Sequence, residues 1–171
     1  MWVAPDKIAC YSEVCRLIKP GGYFATYEWC VTDKYDSNNP RHVAIREGIE
    51  IGNGLPVLAT PQQVVAALEK SGFEVLDHFN AQQHTHVPGQ IPWYQTLAGQ
   101  YTIEGFRMTF LGRTVTHLLV SSLEMLGIAP KGSTKVSQLL NQTAVDLVEG
   151  GKLEIFTPSY FVLARKKQVE A

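Results

Sequence analysis

The sequence predicts an α/β fold, because segments with helical and strand-like patterns alternate along it. Residues 6–19 carry apolar side chains at helical spacing, and a Pro-Gly-Gly turn at 20–22 separates them from the short aromatic and apolar run 23–29. A second helical segment, which starts at Thr60, leads into residues 73–79, where apolar and polar side chains alternate. Two successive helix–turn–strand units favour helices layered on a sheet.

The remaining elements are predicted from the same signals. Thr60 is the expected N-cap of the helix that precedes residues 73–79, with Pro61 at its first position. Ser133 is the expected cap of the last helix, which Gly150 and Gly151 are expected to end. The other predicted elements are a helix at 41–51 that stops at the turn 52–56, an irregular segment at 81–105, helices at 113–126 and 133–148, and a strand at 159–164.

The predicted helix 113–126 has one apolar face, formed by Val115, Leu118, Leu119 and Leu126. A face of this kind is usually buried in the core of a globular protein. We therefore expect burial for this helix, and contact with a membrane surface is the alternative.

Composition limits the classes of function. The chain has 171 residues, of which 45% are hydrophobic and 18% charged, so one domain with a sizeable core is expected. The net charge of −1 gives no basic surface for nucleic acid, and no nucleic-acid partner is predicted. Cys10, Cys15 and Cys30 do not have the spacing of a zinc site or a disulfide framework, and we expect free thiols in a reducing compartment.

Two segments of the sequence bear on targeting and on membrane insertion, the first residues and the uncharged stretch 79–103. The first residues do not show the basic and then apolar pattern of a signal peptide. The longest stretch without a formal charge, 79–103, is rich in Gln, Gly and Pro and does not have the pattern of a spanning helix.

Motifs for several common chemistries do not occur. The sequence has no G-x-G-x-x-G after a strand, no P-loop and no G-x-S-x-G. Gly52-Asn53-Gly54 is interpreted as a turn, because the Leu55-Pro56 that follows blocks a phosphate-binding helix start. His84 and His86 have no third ligand nearby, so no metal site is predicted.

The run from Tyr27 to Asp36 is the strongest candidate site. It lies where a predicted strand ends and a loop begins, the edge at which open α/β sheets bind ligands. A carboxylate between aromatic residues, as Glu28 is between Tyr27 and Trp29, can accept a proton, and the rings can stabilise positive charge. The alternative is an aromatic strand packed on helices, with Glu28 as an ordinary strand-end charge. Trp93 and Tyr94, in the irregular segment, are predicted as either a lid or a plug of the core.

These residues belong to a set of motifs that covers nearly the whole chain in consistent order. The set resembles the sterol 24-C-methyltransferase family. Its motifs are YEWCVTDKYDSNNPRH at 27–42, IEIGNGLP at 49–56, IPWYQTL at 91–97, LGR at 111–113, APKGS at 129–133 and VEGGKLEIFTP at 148–158.

The resemblance implies the C-terminal half of a class I S-adenosylmethionine-dependent methyltransferase fold. Residues 1–80 would form half of the methyltransferase domain, and 81–171 the sterol methyltransferase C-terminal region that completes the same sheet. We expect a three-stranded mixed sheet with flanking helices, in which the last strand lies antiparallel between the other two. Strand 23–29 would then have an unpaired edge, and we expect low stability of the chain alone.

The resemblance also implies the chemistry. Family members transfer the methyl group of S-adenosylmethionine to the side-chain double bond of a sterol, which leaves a carbocation that later loses a proton. The expected catalytic residues are Glu28, Asp33 and Tyr27, with Glu28 as the first choice for stabilising the cation or taking the proton. The expected sterol-binding residues are Trp29, Asp36, Trp93 and Tyr94.

The sequence departs from the family pattern at three points. The Gly-rich cofactor turn does not occur, so we expect this chain to be a fragment that binds S-adenosylmethionine poorly and is inactive alone. Asn53 replaces an Asp, and Val3 replaces a His. The alternatives are a non-catalytic sterol- or partner-binding module and a methyltransferase for another lipid. The resemblance further implies a sterol partner, peripheral membrane contact at the endoplasmic reticulum or lipid-droplet surface, and homo-oligomers of full-length members.

Overall fold

The computed structural model describes residues 4–84, 91–99 and 105–168. Its element order confirms the predicted alternation of helices and strands. The elements are α1 (Lys7–Leu17), β1 (Tyr23–Val31), α2 (Pro40–Asn53), α3 (Pro61–Lys70), β2 (Phe73–Asn80), α4 (Ala81–His84), α5 (Gln95–Ala98), a 3-10 turn (Phe106–Met108), α6 (Phe110–Met125), α7 (Ser133–Lys152) and β3 (Phe156–Lys166).

The three strands form one sheet in the order β1-β3-β2. Both pairings are antiparallel, so the expected position of the last strand is confirmed. The sheet is therefore antiparallel, and the expectation of a mixed sheet is wrong. The two strands that run in the same direction, β1 and β2, are separated by β3. Tyr27, Phe161 and Phe79 are paired in register across the sheet.

The outer edge of β1 is largely unpaired among the residues that the structure describes. Near the carboxyl end of β1, Cys30 forms an isolated parallel bridge with Ala59, and the Val31 amide donates to the Ala59 carbonyl at 3.2 Å. The edge from Tyr23 to Trp29 has no such cover in these parts of the chain.

One face of the sheet packs against α1 and α3, and we call this cluster the helix-face core. Its fully buried members include Tyr11, Val64, Phe73 and Val162. The helices begin where the caps predict. The Asp6 side chain accepts from the Ala9 amide at 2.9 Å, and Thr60 forms a complete capping box with Gln63. Such caps satisfy helix N–H groups that have no partner within the helix.

A second core lies at the carboxyl end of β1, between α2 and α7. Its members are Val31, Ile45, Ile49, Leu58, Leu147, Ile155 and Phe156. Gly48 and Gly52 let the two helices approach closely, because a Cβ on either would overlap the Asp146 or Thr143 side chain. The prediction that α2 stops within 52–56 is confirmed. The helix runs to Asn53, and Gly54 caps it with a left-handed φ of 61°.

α7 differs from its prediction at both ends. Gly132, not Ser133, is the N-cap residue, and the Ser133 hydroxyl donates to the Pro130 carbonyl at 2.8 Å. The helix also continues through Gly150 and Gly151 to Lys152. Gly151 is needed there for contact with Tyr94, whose Cγ would lie 2.6 Å from a Cβ at that position.

α6 packs mainly on α7 and the 3-10 turn, and its apolar face is not buried. Leu118 is 60% exposed and Leu126 68% exposed, so the expectation of burial is wrong for this helix. The amphipathic pattern identifies residues that share a face but not what covers that face. Among the described residues, no helix has the length and apolar composition needed to cross a bilayer.

Candidate functional site

The carboxyl end of β1 opens into a cavity of about 200 Å³, which we call the strand-end cleft. It lies between the β-strand ends, the segment 91–94 and the last turn of α7. Its lining residues are Thr32, Asn80, Gln82, Gln83, Ile91, Pro92, Trp93, Tyr94, Gly151, Glu154, Phe156 and Thr157.

Aromatic side chains form one wall of this cleft. The Trp93 ring lies edge-on to Phe156, with 5.6 Å between ring centroids, and 5.8 Å from the Tyr94 ring. Trp29 contacts the same Phe156 ring at 5.3 Å. Through Phe156, Trp93 therefore contacts the end of β1. Phe156 belongs to the second core, and the Trp29 and Trp93 rings pack against it.

Hydroxyl and amide groups form the floor. Thr157 is 2% exposed, and its hydroxyl donates to the Asn80 side-chain oxygen at 2.9 Å. The Thr32 hydroxyl donates to the Glu154 carbonyl at 2.5 Å, which fixes the start of the loop after β1. Thr157 and Asn80 were not predicted as site residues from the sequence, because neither is itself charged or aromatic.

Asp33 lies beside this floor. It lines an adjoining cavity of about 310 Å³ that shares Thr32, Asn80, Gln83 and Thr157 with the strand-end cleft. Asp33 is exposed to solvent where it lines this cavity. Tyr160 is on the same cavity wall, and its hydroxyl lies 2.7 Å from His78 Nδ1.

Glu28 is buried beside Tyr11 of the helix-face core and lines neither the strand-end cleft nor the cavity at Asp33. Its side chain is 1% exposed, and it accepts from Lys7 Nζ at 3.0 Å and from the Tyr11 hydroxyl at 2.8 Å. Burial and the Glu28 charge raise the pKa of Tyr11 well above its usual range, so the hydroxyl stays protonated and donates. Burial and the same charge raise the pKa of Cys30 to about 12.

Tyr27 and Asp36, which were also predicted as site residues, do not line the strand-end cleft. Tyr27 is 54% exposed and contacts Phe161 at 5.3 Å between ring centroids, away from the strand-end cleft. Asp36 lies in an exposed turn, where its carboxylate accepts from the Asn38 amide at 2.8 Å. Tyr27 and Glu28 are successive strand residues and point to opposite faces, so the predicted cradle of Tyr27, Glu28 and Trp29 does not form around one cavity.

A larger cavity of about 480 Å³ lies between α5, α6 and α7, and we call it the helical cleft. Met108, Phe110 and Val148 line its apolar part, and His117 and Asn141 its polar part. The sequence analysis missed this site. The only sequence signal is polar residues on two helices, and which ones face each other depends on how the helices pack.

Metal-ligating side chains do not cluster in the described part of the chain. The described residues contain no group of three or more such side chains that could hold a metal ion. The predicted pair His84 and His86 is not covered by this finding, because the His84 side chain and residue 86 lie outside the described residues.

The strand-to-helix connections do not fit a nucleotide-like cofactor. α2 follows β1 through a polar turn capped by Asn39, and no glycine-rich turn follows a strand in the described ranges. The start of α3 is occupied by the side chain of Gln63. The described strand-to-helix connections therefore do not contain the glycine-rich turn that the resemblance leads one to expect at an S-adenosylmethionine site.

Comparison with known proteins identifies relatives of the chain. The model of the sterol methyltransferase C-terminal region matches residues 103–167. A cycloartenol-C-24-methyltransferase from Oryza sativa is 46% identical over 95% of this chain and 46% of its own length. The Arabidopsis thaliana cycloartenol-C-24-methyltransferase is 44% identical over 96% of this chain and 48% of its own length. The sterol 24-C-methyltransferase ERG6 of Saccharomyces cerevisiae is 41% identical over 96% of this chain and 44% of its own length.

The chain therefore spans about half the length of the curated relatives it matches. Among solved structures, a proposed sarcosine dimethylglycine methyltransferase from Galdieria sulphuraria matches with a TM-score of 0.54 at 17% identity. That match covers 98% of this chain and 50% of the other, and it shows the methyltransferase fold. Together the comparisons confirm the resemblance to the sterol 24-C-methyltransferase family and the α/β methyltransferase fold class.

Proposed function

We propose that this chain, a relative of the sterol 24-C-methyltransferases, supplies the sterol-facing half of an enzyme that methylates the side-chain double bond of a sterol. The observation that carries the proposal is the match to sterol methyltransferases along 95% of the chain or more. The strand-end cleft supports it, because a hydrocarbon chain needs an apolar, enclosed wall next to a group that can take a proton.

The aromatic wall is the proposed site of the sterol side chain. Trp93 and Tyr94 line the cleft directly, and Trp29 supports Phe156 from behind. Aromatic faces attract positive charge through their quadrupole, which stabilises a cation on the sterol side chain. The same rings exclude water that would otherwise react with that cation.

Asp33 is the proposed proton acceptor. It is the carboxylate that lines the cavity adjoining the strand-end cleft, and a carboxylate within reach of a carbon acid acts as a general base. Glu28 has both oxygens engaged by Lys7 and Tyr11, so we assign it a positioning role at the end of β1. The predicted catalytic role of Tyr27 and sterol contact of Asp36 gain no support from their placement.

S-adenosylmethionine is the proposed methyl donor, as it is for methyltransferases of this fold. Because the described strand-to-helix connections do not contain a glycine-rich turn, we propose that a polypeptide equivalent to the other half of the relatives holds it. The residues of this chain then bind and orient the sterol and accept the proton.

Contact with a membrane surface is proposed for α6. Its exposed leucines form an apolar face, and Lys131 and Lys135 lie in and after the turn that follows α6. A face of this kind with cations at one end suits the surface of an anionic bilayer. Endoplasmic reticulum or lipid-droplet membranes are the proposed location, and association between copies of the complete enzyme also remains a proposal.

The proposed activity is tested by complementation. The chain is mixed with the unmatched N-terminal half of the Oryza relative, cycloartenol and methyl-deuterated S-adenosylmethionine, and labelled sterol is measured by mass spectrometry. We expect label with both halves and none with either alone. Binding of sterol without any transfer would instead favour the non-catalytic sterol-binding module.

The role of Asp33 has a matched control in the same loop. Asp33→Asn is expected to lower turnover by about a hundredfold or more, the usual contribution of a general base, with little change in sterol affinity. Asp36→Asn removes a similarly exposed carboxylate that, unlike Asp33, lines neither the strand-end cleft nor the adjoining cavity, and is expected to leave turnover unchanged. Equal effects of the two substitutions would refute the assignment.

A further inference from the structure

The strand-end cleft is too small to hold a whole sterol. Its volume is about 200 Å³, whereas pockets that enclose ligands of this size are typically about 300–1,000 Å³. The helical cleft, at about 480 Å³, lies within that range. A sterol bound with its side chain at the aromatic wall therefore needs a second place for its ring system.

The two clefts are neighbours on either side of α5. Tyr94, the residue that precedes α5, and Gly151 line the strand-end cleft, whereas Ala98, the last residue of α5, and Lys152 line the helical cleft. One turn of helix thus separates them, a rise of about 6 Å at 1.5 Å per residue. A sterol carries its single hydroxyl at the end opposite its side chain, so neighbouring clefts suit its two ends.

The lining of the helical cleft matches an apolar body with a neutral polar end. Phe110 is 86% exposed and Met108 45% exposed, so a ligand that covers them removes apolar surface from water. The polar part contains the uncharged side chains of Gln138 and Asn141 together with His117. Ser137 holds the His117 ring through Nδ1 at 3.1 Å, which leaves Nε2 for a ligand.

The charges around the cleft already have partners. Glu149 accepts from Arg41 at 2.6 Å and from Lys152 at 3.3 Å. The Arg113 guanidinium donates to the Leu97 carbonyl at the end of α5. Because these charged groups already have partners, a neutral alcohol fits the helical cleft better than an anion does. An anion bound at Arg113 is the competing ligand.

We infer that the helical cleft binds the hydroxyl-bearing end of the sterol and that the hydroxyl donates to Nε2 of His117, in the tautomer whose Nδ1–H donates to Ser137. This inference rests on the proposed function and adds a site that determines substrate specificity. It places the side chain at the strand-end cleft and the hydroxyl beyond α5, so the length of the sterol sets which carbon reaches the aromatic wall.

The test measures binding of dehydroergosterol, an intrinsically fluorescent sterol with a free 3-hydroxyl, and of its 3-methyl ether to the full chain. We expect the ether to bind roughly fivefold more weakly, the effect of about one lost hydrogen bond. His117→Phe is expected to weaken dehydroergosterol binding by the same factor and to leave ether binding unchanged. His117→Gln, which keeps a polar group, is expected to restore part of the affinity.

His42→Phe is the matched control, because His42 lies on α2 and lines neither cleft. Equal binding of the two sterols, or equal effects of the two Phe variants, overturns the inference and leaves the proposed function standing. Tighter binding of the 3-sulfate than of the alcohol overturns it in favour of an anion site at Arg113. If neither sterol binds, the inference and the sterol-binding part of the proposed function both fail.

Discussion

The Tyr11 hydroxyl donates a hydrogen bond of 2.8 Å to Glu28 Oε1 and so joins α1 to β1 inside the helix-face core. Tyr11 is fully buried and Glu28 is 1% exposed, so no water replaces this donor. Lys7 Nζ, at 3.0 Å from Oε2, is the other donor to the carboxylate. A buried charge of this kind is tolerated only while its hydrogen bonds are complete.

The first prediction follows from that arrangement. Tyr11→Phe should lower the free energy of unfolding by about 1–3 kcal/mol, because it leaves a buried carboxylate oxygen without its donor. Urea denaturation measures the change. Tyr35→Phe is the matched control, since the Tyr35 hydroxyl is buried and has no hydrogen-bond partner among the residues that the structure describes. We expect the control to be neutral or slightly stabilising, and equal losses in both variants would contradict the prediction.

The second prediction concerns alkaline pH. Burial and the Glu28 charge raise the pKa of Cys30 from 9.0 to about 12 in the folded chain. The folded state therefore holds the thiol proton more tightly than the unfolded state does. The contribution of this proton to the free energy of unfolding is complete below pH 9. It is lost as the pH rises towards 12, by at most about 1.4 kcal/mol per pH unit.

Cys30→Ala should flatten this loss between pH 9 and pH 10. Tyr11 adds a similar loss only above its ordinary pKa of 10.0, so the lower window isolates the thiol. The free energy of unfolding is measured by urea denaturation at several pH values under reducing conditions. An unchanged slope in the variant would show that Cys30 does not titrate in this way.

Much of the backbone could be predicted from local signals. The capping residue Thr60 and the turn at 20–22 determine where α3 and β1 begin, and both signals depend only on neighbouring residues. The candidate site could be predicted only in part. Tyr27 and Glu28 are adjacent in sequence, but strand geometry places them on opposite faces, so adjacency is a poor guide to a shared cavity.

The helical cleft shows why the rest could not be predicted. His117 is on α6 and Asn141 on α7, and they line one cavity because of the way the two helices pack. Helical periodicity gives the face on which each residue lies, but it does not give the partner of that face. The same limit explains why burial was wrongly expected for α6.

The third prediction tests the exposed face of α6. Leu118→Glu should lower the fraction of chain that sediments with vesicles of phosphatidylcholine and phosphatidylserine severalfold, because it places a charge at an apolar contact. Leu17→Glu is the matched control, since Leu17 is 69% exposed on α1. Both variants should melt as the parent chain does. Equal sedimentation of the two variants would refute contact through α6.

The fourth prediction uses two adjacent glycines of α7. A Cβ at Gly151 would lie 2.6 Å from Tyr94 Cγ, so Gly151→Ala must displace the Tyr94 ring from the helix. At Gly150 the nearest atom is Ile49 Cδ1 at 3.2 Å, the end of a flexible side chain. Both substitutions gain about 1 kcal/mol of helix propensity, so that contribution cancels in the comparison.

Gly151→Ala should therefore be less stable than Gly150→Ala by about 1–3 kcal/mol, the usual cost of overpacking. Because Tyr94 and Trp93 line the strand-end cleft together, the variant should also change the tryptophan fluorescence and weaken binding of a sterol side chain. Gly150→Ala should keep the parent spectrum. If Gly151→Ala kept both the spectrum and the sterol affinity, Tyr94 would not form a wall of the cleft.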